Sequence, residues 1–214
     1  MTLFLASFFL VLGLMHGYVF LKARAAFPFG PGTGVPVALA MLCMVLAPVA
    51  SRILERQGAE GAAGAVSWAG FLWLGFLFLL VVALAAVDLY RAAASLAGFA
   101  SGRQLAALVP GAKTAFFVPL ALSLAASAWG FHEALDIRTE RVVIETDRLP
   151  AHVERLRICQ ISDVHLGPIV RGDRLARMLR IVRQENPDLL VSTGDLVDGR
   201  SEERRVGKEC TIQC

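Results

Sequence analysis

The chain has 214 residues, of which 56% are hydrophobic and 18% charged, and it carries a formal net charge of +3. With a mean hydropathy of +0.61, that composition excludes an ordinary single soluble globule. The charge is also split: the first 135 residues hold 11 of the 39 charged side chains and the last 79 hold 28, so a bilayer part and a water-facing part are expected on either side of Leu135.

A helix crossing the ~30 Å hydrocarbon core of a bilayer needs about 20 mostly apolar residues. Four runs meet that demand: Leu3 to Leu21, Val35 to Ala50 with a short overrun, Ala65 to Val87, and Thr114 to Phe131. Lys22 and Arg24 close the first, Arg52 the second, Asp88 and Arg91 the third, and His132 with Glu133 the fourth. The stretch from Phe27 to Gly34, FPFGPGTG, is too rich in Pro and Gly to continue a helix and reads as a turn between spans one and two. Met1 to Ser7 carries no basic residue and no small-residue cleavage site precedes the turn, so the first run is expected to remain in the mature protein.

Pro48 and Pro119 fall inside apolar runs and are expected to kink them, with neighbouring helices satisfying the freed backbone groups. His16 reads first as an interfacial histidine bonded to a carbonyl or headgroup, and second as the mark of a polar path through the bundle. Trp68, Trp73, Trp129, Tyr18 and Tyr90 lie mostly near span ends, as an aromatic belt would. Basic residues in loops one and three (Lys22, Arg24, Arg91, Arg103, Lys113) outnumber those in loop two (Arg52, Arg56), which puts both termini outside the cytoplasm. Arg138, Arg141 and Arg148 level that count, and the reading adopted leans to an extracytoplasmic C-terminal segment. Of the cysteines, Cys43 lies in a span, Cys159 in an expected strand, and Cys210 and Cys214 in the tail, so no disulfide or zinc framework is visible.

After Leu135 the hydrophobic period changes. Arg141 to Glu145 (RVVIE) reads as a short strand, Asp147 to Pro150 as a turn, and Leu156 to Ser162 (LRICQIS) as an alternating strand. Asp173 to Gln184 is helical, with Leu175, Met178, Leu179 and Val182 at i, i+3, i+4 and i+7 and Asp173 as N-cap, and Asn186 and Pro187 stop it. Asp188 to Ser192 (DLLVS) has the pattern of a buried parallel strand. Strand, helix and strand in that order make a right-handed βαβ unit. Arg171, Arg174, Arg177, Arg180 and Arg183 recur every third residue; the first reading is a solvated helix face and the second an attraction to anionic lipid or phosphorylated substrate. Nothing points to nucleic acid.

The chemistry collects at one edge of that unit. Asp163 and His165 follow the second expected strand, and Gly194, Asp195 and Asp198 follow the third. Ligands in open α/β sheets bind beyond the carboxyl ends of the strands, so both clusters are expected to face one crevice. Carboxylates with an imidazole suit a borderline divalent metal such as Mn, Fe or Zn. Gly167 and Pro168 suggest the turn that lets Asp163 and His165 reach one ion, and a carboxylate arriving from the neighbouring strand can bridge two.

SDVHLG (Ser162 to Gly167) and TGDLVDG (Thr193 to Gly199) closely resemble the first two motifs of the calcineurin-like metallophosphoesterases, and the membrane-anchored bacterial branch looks nearest. The resemblance covers about Arg141 to Gly199. It implies that Asp163 and His165 bind one metal, that Asp195 bridges two, and that Asp198 is similar to a residue orienting a catalytic histidine from a later G-N-H-D/E motif. It further implies two divalent ions that activate water against a phosphoester, with a lipid-linked or membrane-proximal substrate made attractive by the four spans.

The later motifs are absent from the 214 residues, whose histidines are 16, 132, 152 and 165. From Arg200 the string RSEERRVGKEC has no period of either kind and resembles the conceptual translation of a sequencing adapter. The expected architecture is therefore an α-helical membrane bundle of four spans (1–135), an incomplete α/β metallophosphoesterase domain (136–199) that does not fold alone, and a non-native or disordered tail (200–214). The expected function is a membrane-bound, metal-dependent phosphoesterase of a bacterial inner membrane, present here as an inactive fragment. The alternative is a non-catalytic polytopic membrane protein with a vestigial or partner-binding soluble segment.

Overall fold

The structure is a computed structural model, and it describes residues 2–102, 109–150, 152–167 and 172–196. The chain divides into two units, residues 1–135 and 136–214. The expectations for Asp198, for Arg171 and for the tail from Arg200 lie outside the described residues.

The first unit holds four helices: α1 (Thr2–Ala26), α2 (Pro31–Arg56), α3 (Glu60–Ser101) and α4 (Ala112–Leu135). All four are long and apolar enough to cross a membrane, and each contains one of the expected runs. Pro31 opens α2, where its missing N–H costs nothing because the first-turn donors have no helical partner in any case. Pro36, Pro48 and Pro119 lie inside helices. The 42 residues of α3 exceed what a bilayer core requires by about a factor of two, so this helix runs on past Asp88.

Along the runs the outward-facing side chains of the described residues are mostly apolar. Val19, Leu77, Leu80 and Leu84 form a buried cluster, with Met15, Met41, Phe76 and Phe116 packed against it. Leu10, Leu14, Phe78, Val82 and Leu122 point outward and are exposed. A surface as apolar as the interior removes the hydrophobic drive that holds a soluble bundle together, and helix association then depends on close packing and interhelical hydrogen bonds.

Both devices are present. Small residues of α3, including Ala63, Gly64, Ser67 and Gly70, are buried, as are Ala47 and Ser51 of α2. A Cβ placed on Gly70 would lie 2.9 Å from the Cβ of Ala47, so glycine is what admits this approach. Between α1 and α3, Trp73 Nε1 donates to His16 Nε2 at 2.9 Å, and His16 Nδ1 lies 2.7 Å from the carbonyl oxygen of Leu12. A carbonyl only accepts and an indole N–H only donates, so in this geometry Nδ1 donates to Leu12 and Nε2 accepts from Trp73. The carbonyl bond expected of His16 is present, but the ring is buried between α1 and α3 rather than interfacial. Trp73, grouped from its position with an aromatic belt, instead spends its N–H on this internal bond.

A second polar contact joins the same helices further along, about four turns on in α3, from Trp73 to Asp88. The Tyr18 hydroxyl donates to Asp88 Oδ2 at 2.6 Å, and Lys22 Nζ meets Asp88 Oδ1 at 2.5 Å. Asp88 and Lys22, which the sequence shows only as the charges closing two separate runs, close them against each other.

The second unit contains β1 (Ile158–Ile161), α5 (Gly172–Glu185) and β2 (Leu189–Ser192). The strands pair in parallel, Ile158 opposite Leu189 through Ile161 opposite Ser192, giving the expected strand–helix–strand order. Val182 is buried on α5 while Leu175, Met178 and Leu179 are partly buried, as their spacing requires. Asp173 is the second helical residue rather than the cap, placing its charge in the first turn where the helix dipole is positive. Asn186 takes a left-handed φ of 46° and ends the helix before Pro187.

Two expectations are corrected. Arg141 to Glu145 forms no strand: Val142, Val143 and Ile144 are 74%, 86% and 79% exposed. A β-branched run needs a ladder partner and a surface to pack on, and among the described residues it has neither. Leu189 and Leu190 of β2, expected to be buried, are about half exposed, because a two-stranded sheet supplies little to cover them. Val164 and Val182 are the buried apolar side chains of this unit among the described residues.

Polar contacts take up part of the work. Arg141 donates from Nε and Nη2 to the two carboxylate oxygens of Glu185 at 3.2 and 2.9 Å. Arg157 ties the start of β1 to the turn before β2, its N–H donating to Asp188 Oδ2 at 2.7 Å and its carbonyl accepting from Asp188 N at 2.8 Å.

Two outcomes are expected. Gly70→Val overpacks the α2–α3 contact and is expected to cost about 1–3 kcal/mol, read as earlier thermal unfolding in detergent, while Gly75→Val, where a Cβ meets nothing within 4 Å, leaves the transition near wild type. The Arg141 hydrogen bond holds the Glu185 carboxyl below the usual carboxylate range. Its stabilisation is therefore present above the ordinary glutamate pKa and lost as pH falls through the lowered value. Carboxyl NMR is expected to show a downshifted Glu185 titration that moves upward in Arg141→Gln and whose downshift weakens in high salt.

Candidate metal centre

The site begins where the two strands end. Hydrogen bonding between the chains continues beyond the strands proper: Thr193 N donates to Ile161 O at 3.1 Å, Asp163 N to Gly194 O at 3.3 Å, His165 N to Asp195 O at 2.9 Å and Leu166 N to Leu196 O at 3.0 Å. The loops after β1 and β2 are thus laced together by their own backbones. Across the strand ends, Gln160 Nε2 donates to Thr193 Oγ1 at 2.9 Å.

This lacing holds an unusual backbone. Asp163, His165 and Asp195 have φ of 52°, 50° and 34°, and Gly194 between the strand and Asp195 has φ of 151°. Side chains crowd the backbone in this region, at a cost of roughly 1–2 kcal/mol per non-glycine residue. All three residues expected as ligands carry that strain. In the described residues only Asn186, the helix terminator, shares it.

The side chains converge accordingly. Val164 is 4% exposed, while Asp163 and His165 on either side of it face solvent with Asp195. One ligand atom from each of Asp163, His165 and Asp195 lies within 4.8 Å of the others, and His165 Nε2 is 3.9 Å from Asp195 Oδ2. The Ser162 hydroxyl donates to Asp163 Oδ2 at 2.5 Å, steadying that carboxylate. Donors bound to one ion at about 2.1 Å lie at most about 4.2 Å apart, so small side-chain rotations bring the set into coordinating range. Two carboxylate charges and an imidazole fit a borderline divalent cation in donor type and charge.

The structure therefore brings together Asp163, His165 and Asp195. Three contributors escaped the sequence reading. Val164 shows there only as the middle letter of D-x-H, and its burial has no local signature. The Ser162 hydrogen bond is a rotamer choice between neighbours in the chain, and the Gln160–Thr193 contact depends on strand register, which sequence spacing alone does not specify.

Residues 156–212 match the family model described as calcineurin-like phosphoesterase. That stretch of the second unit is similar to that family. The chain is 44% identical over 72 residues to an uncharacterized metallophosphoesterase of Aquifex aeolicus, a stretch covering 34% of this chain and 27% of that protein. It is 38% identical over 68 residues to a protein of Danio rerio named transmembrane protein with metallophosphoesterase domain, covering 32% of this chain and 16% of the relative. A Bos taurus protein of the same name is 37% identical over 60 residues, 28% and 14% of the two chains. The chain thus spans about a quarter or less of the length of these relatives. No solved structure matches.

Removing a donor is expected to weaken Mn2+ binding by the 214-residue chain in detergent, measured by electron paramagnetic resonance of the free ion. Asp195→Asn should weaken it by at least about 10-fold. Gly194→Ala should also weaken it, because alanine resists a φ of 151°, although no ligand atom is lost. Equal Mn2+ affinity in wild type and Asp195→Asn would show that the cluster does not hold the ion.

Proposed function

We propose that the water-facing segment forms one wall of a metal-dependent phosphoesterase centre held at a membrane by the four helices. The observation that carries this is the strained convergence of Asp163, His165 and Asp195 at the matching ends of two adjacent parallel strands, within the stretch that matches the family model. In this reading Asp163 and His165 hold one divalent ion and Asp195 lies between two, with Mn, Fe or Zn suited to the donors. Bound there, the ions supply Lewis acidity and lower the pKa of water.

The chain's own residues do the rest of what is assigned to them. The laced loops hold the backbones of the three residues close together, which lowers the ordering cost of metal binding. The Ser162 hydroxyl orients Asp163. The open, solvent-facing side of the cluster leaves room for a phosphoester, and Asp198 is assigned to orient a histidine supplied by a later motif. A lipid-linked phosphoester fits the four apolar helices, and the location proposed is a bacterial inner membrane with the centre on the extracytoplasmic side. The alternative, a non-catalytic bundle with a vestigial or partner-binding soluble segment, draws on the sparse burial of the second unit, in which the described sheet has two strands.

The reading frame of the gene separates the two: continuation into G-N-H-D/E and G-x-H motifs supports the enzyme, and a stop near Gly199 supports the alternative. The 214-residue chain is expected to hydrolyse a chromogenic phosphodiester with Mn2+ only at background. A frame carrying the later motifs should be active and lose at least about 100-fold on Asp195→Asn. Robust activity of the 214-residue chain that disappears on Asp195→Asn would contradict the inactive reading, and an active longer frame unaffected by Asp195→Asn would contradict the site.

A further inference from the structure

A cavity of about 270 Å³ opens between the last turns of α1 and the first turns of α2. Its walls are apolar, formed by Phe20, Phe29, Pro31, Val35 and Ala38, and the guanidinium-bearing Arg24 is its charged member. Phe20 and Phe29 meet edge to face with centroids 5.5 Å apart, and Gly34 lets the Phe29 ring lie close against α2, 3.4 Å from where a Cβ would stand. The cavity straddles the end of the first apolar run and the start of the second, the level at which a bilayer core would meet its headgroups.

The charges at this level are unequally committed. Lys22 is consumed by Asp88, which also accepts from Tyr18. The first turn of α2 contains no acidic residue. Among the described residues Arg24 has no ion-pair partner, so a cation stands at the mouth of an apolar slot with the nearby carboxylate already engaged. A ligand complementary to both features has an anionic head and a hydrocarbon tail. We propose that this cavity binds one anionic phospholipid from the surrounding bilayer, its phosphodiester against Arg24 and an acyl chain along Val35 and Ala38.

The inference rests on the four helices lying in a membrane, which resistance of the chain to carbonate extraction tests separately. For the site itself, the full chain is purified in neutral detergent and its retained lipid counted by native mass spectrometry with equal phosphatidylglycerol and phosphatidylcholine. One phosphatidylglycerol is expected to be retained in preference. One basic side chain at a membrane surface corresponds to about 5-fold in affinity, and Arg24→Gln should lose that preference. Arg56→Gln, at the opposite end of α2, should keep it, and Ala38→Trp should lose it with Arg24 intact. Should Ala38→Trp not fold, Ala38→Leu serves the same purpose. Equal retention of the two lipids by wild type, or a preference that survives Arg24→Gln, overturns the proposal. Displacement of the lipid by millimolar inorganic phosphate overturns it too, since it would make the site one for free phosphate.

Discussion

Every peptide N–H and C=O removed from water needs a partner, and the two halves of this chain meet that demand with very different margins. In residues 1–135 each helix satisfies its own backbone, so the runs can be apolar on every side and still form. In the second unit the described sheet has four residues in each strand, and their mutual pairing is the whole ladder. The site depends on that short ladder, because the same hydrogen bonding runs on into the loops and holds Asp163, His165 and Asp195 in left-handed conformations they would not choose alone.

The helical unit solves a different problem. With Leu and Phe side chains facing outward as freely as inward, burying more apolar surface does not select one packing over another. Selection comes from a few specific contacts: the close approach at Gly70 and Ala47, the Trp73 to His16 bond, and the convergence of Tyr18 and Lys22 on Asp88. Two of these join α1 to α3, helices separated in the chain by α2. They therefore set the arrangement of the bundle rather than the formation of any one helix. His16 and Trp73 also show how a buried polar pair avoids a penalty: each nitrogen of the imidazole has its partner, and a single tautomer satisfies both.

At the metal centre, strain and exposure go together. Positive φ at Asp163, His165 and Asp195 costs free energy in a unit where, among the described residues, Val164 and Val182 are the buried apolar side chains. A cation between two carboxylates would return some of it by removing their repulsion. The exposed β-branched run at Val142 to Ile144 and the half-exposed Leu189 and Leu190 show the same deficit from the apolar side. The relatives that match are several times longer than the stretch that matches.

Much of this was legible in the sequence for a physical reason. An uncharged run of about 20 residues has few fates, so the four helices and the boundary at Leu135 follow from composition and local spacing. The stripe Leu175, Met178, Leu179 and Val182 and the stop at Asn186–Pro187 are likewise local patterns. The convergence of Asp163, His165 and Asp195 was legible because their residue types sit immediately after two strands whose order predicts a shared edge. Arg141 to Glu145 misled because β-propensity describes fitness for a surface, and that surface must be provided by distant chain. Partner choice was beyond local pattern altogether. That Asp88 would take Lys22 and Tyr18, that Trp73 would find His16, and that Val164 would be buried between the exposed Asp163 and His165 depends on which segments meet in space, which only the tertiary structure decides.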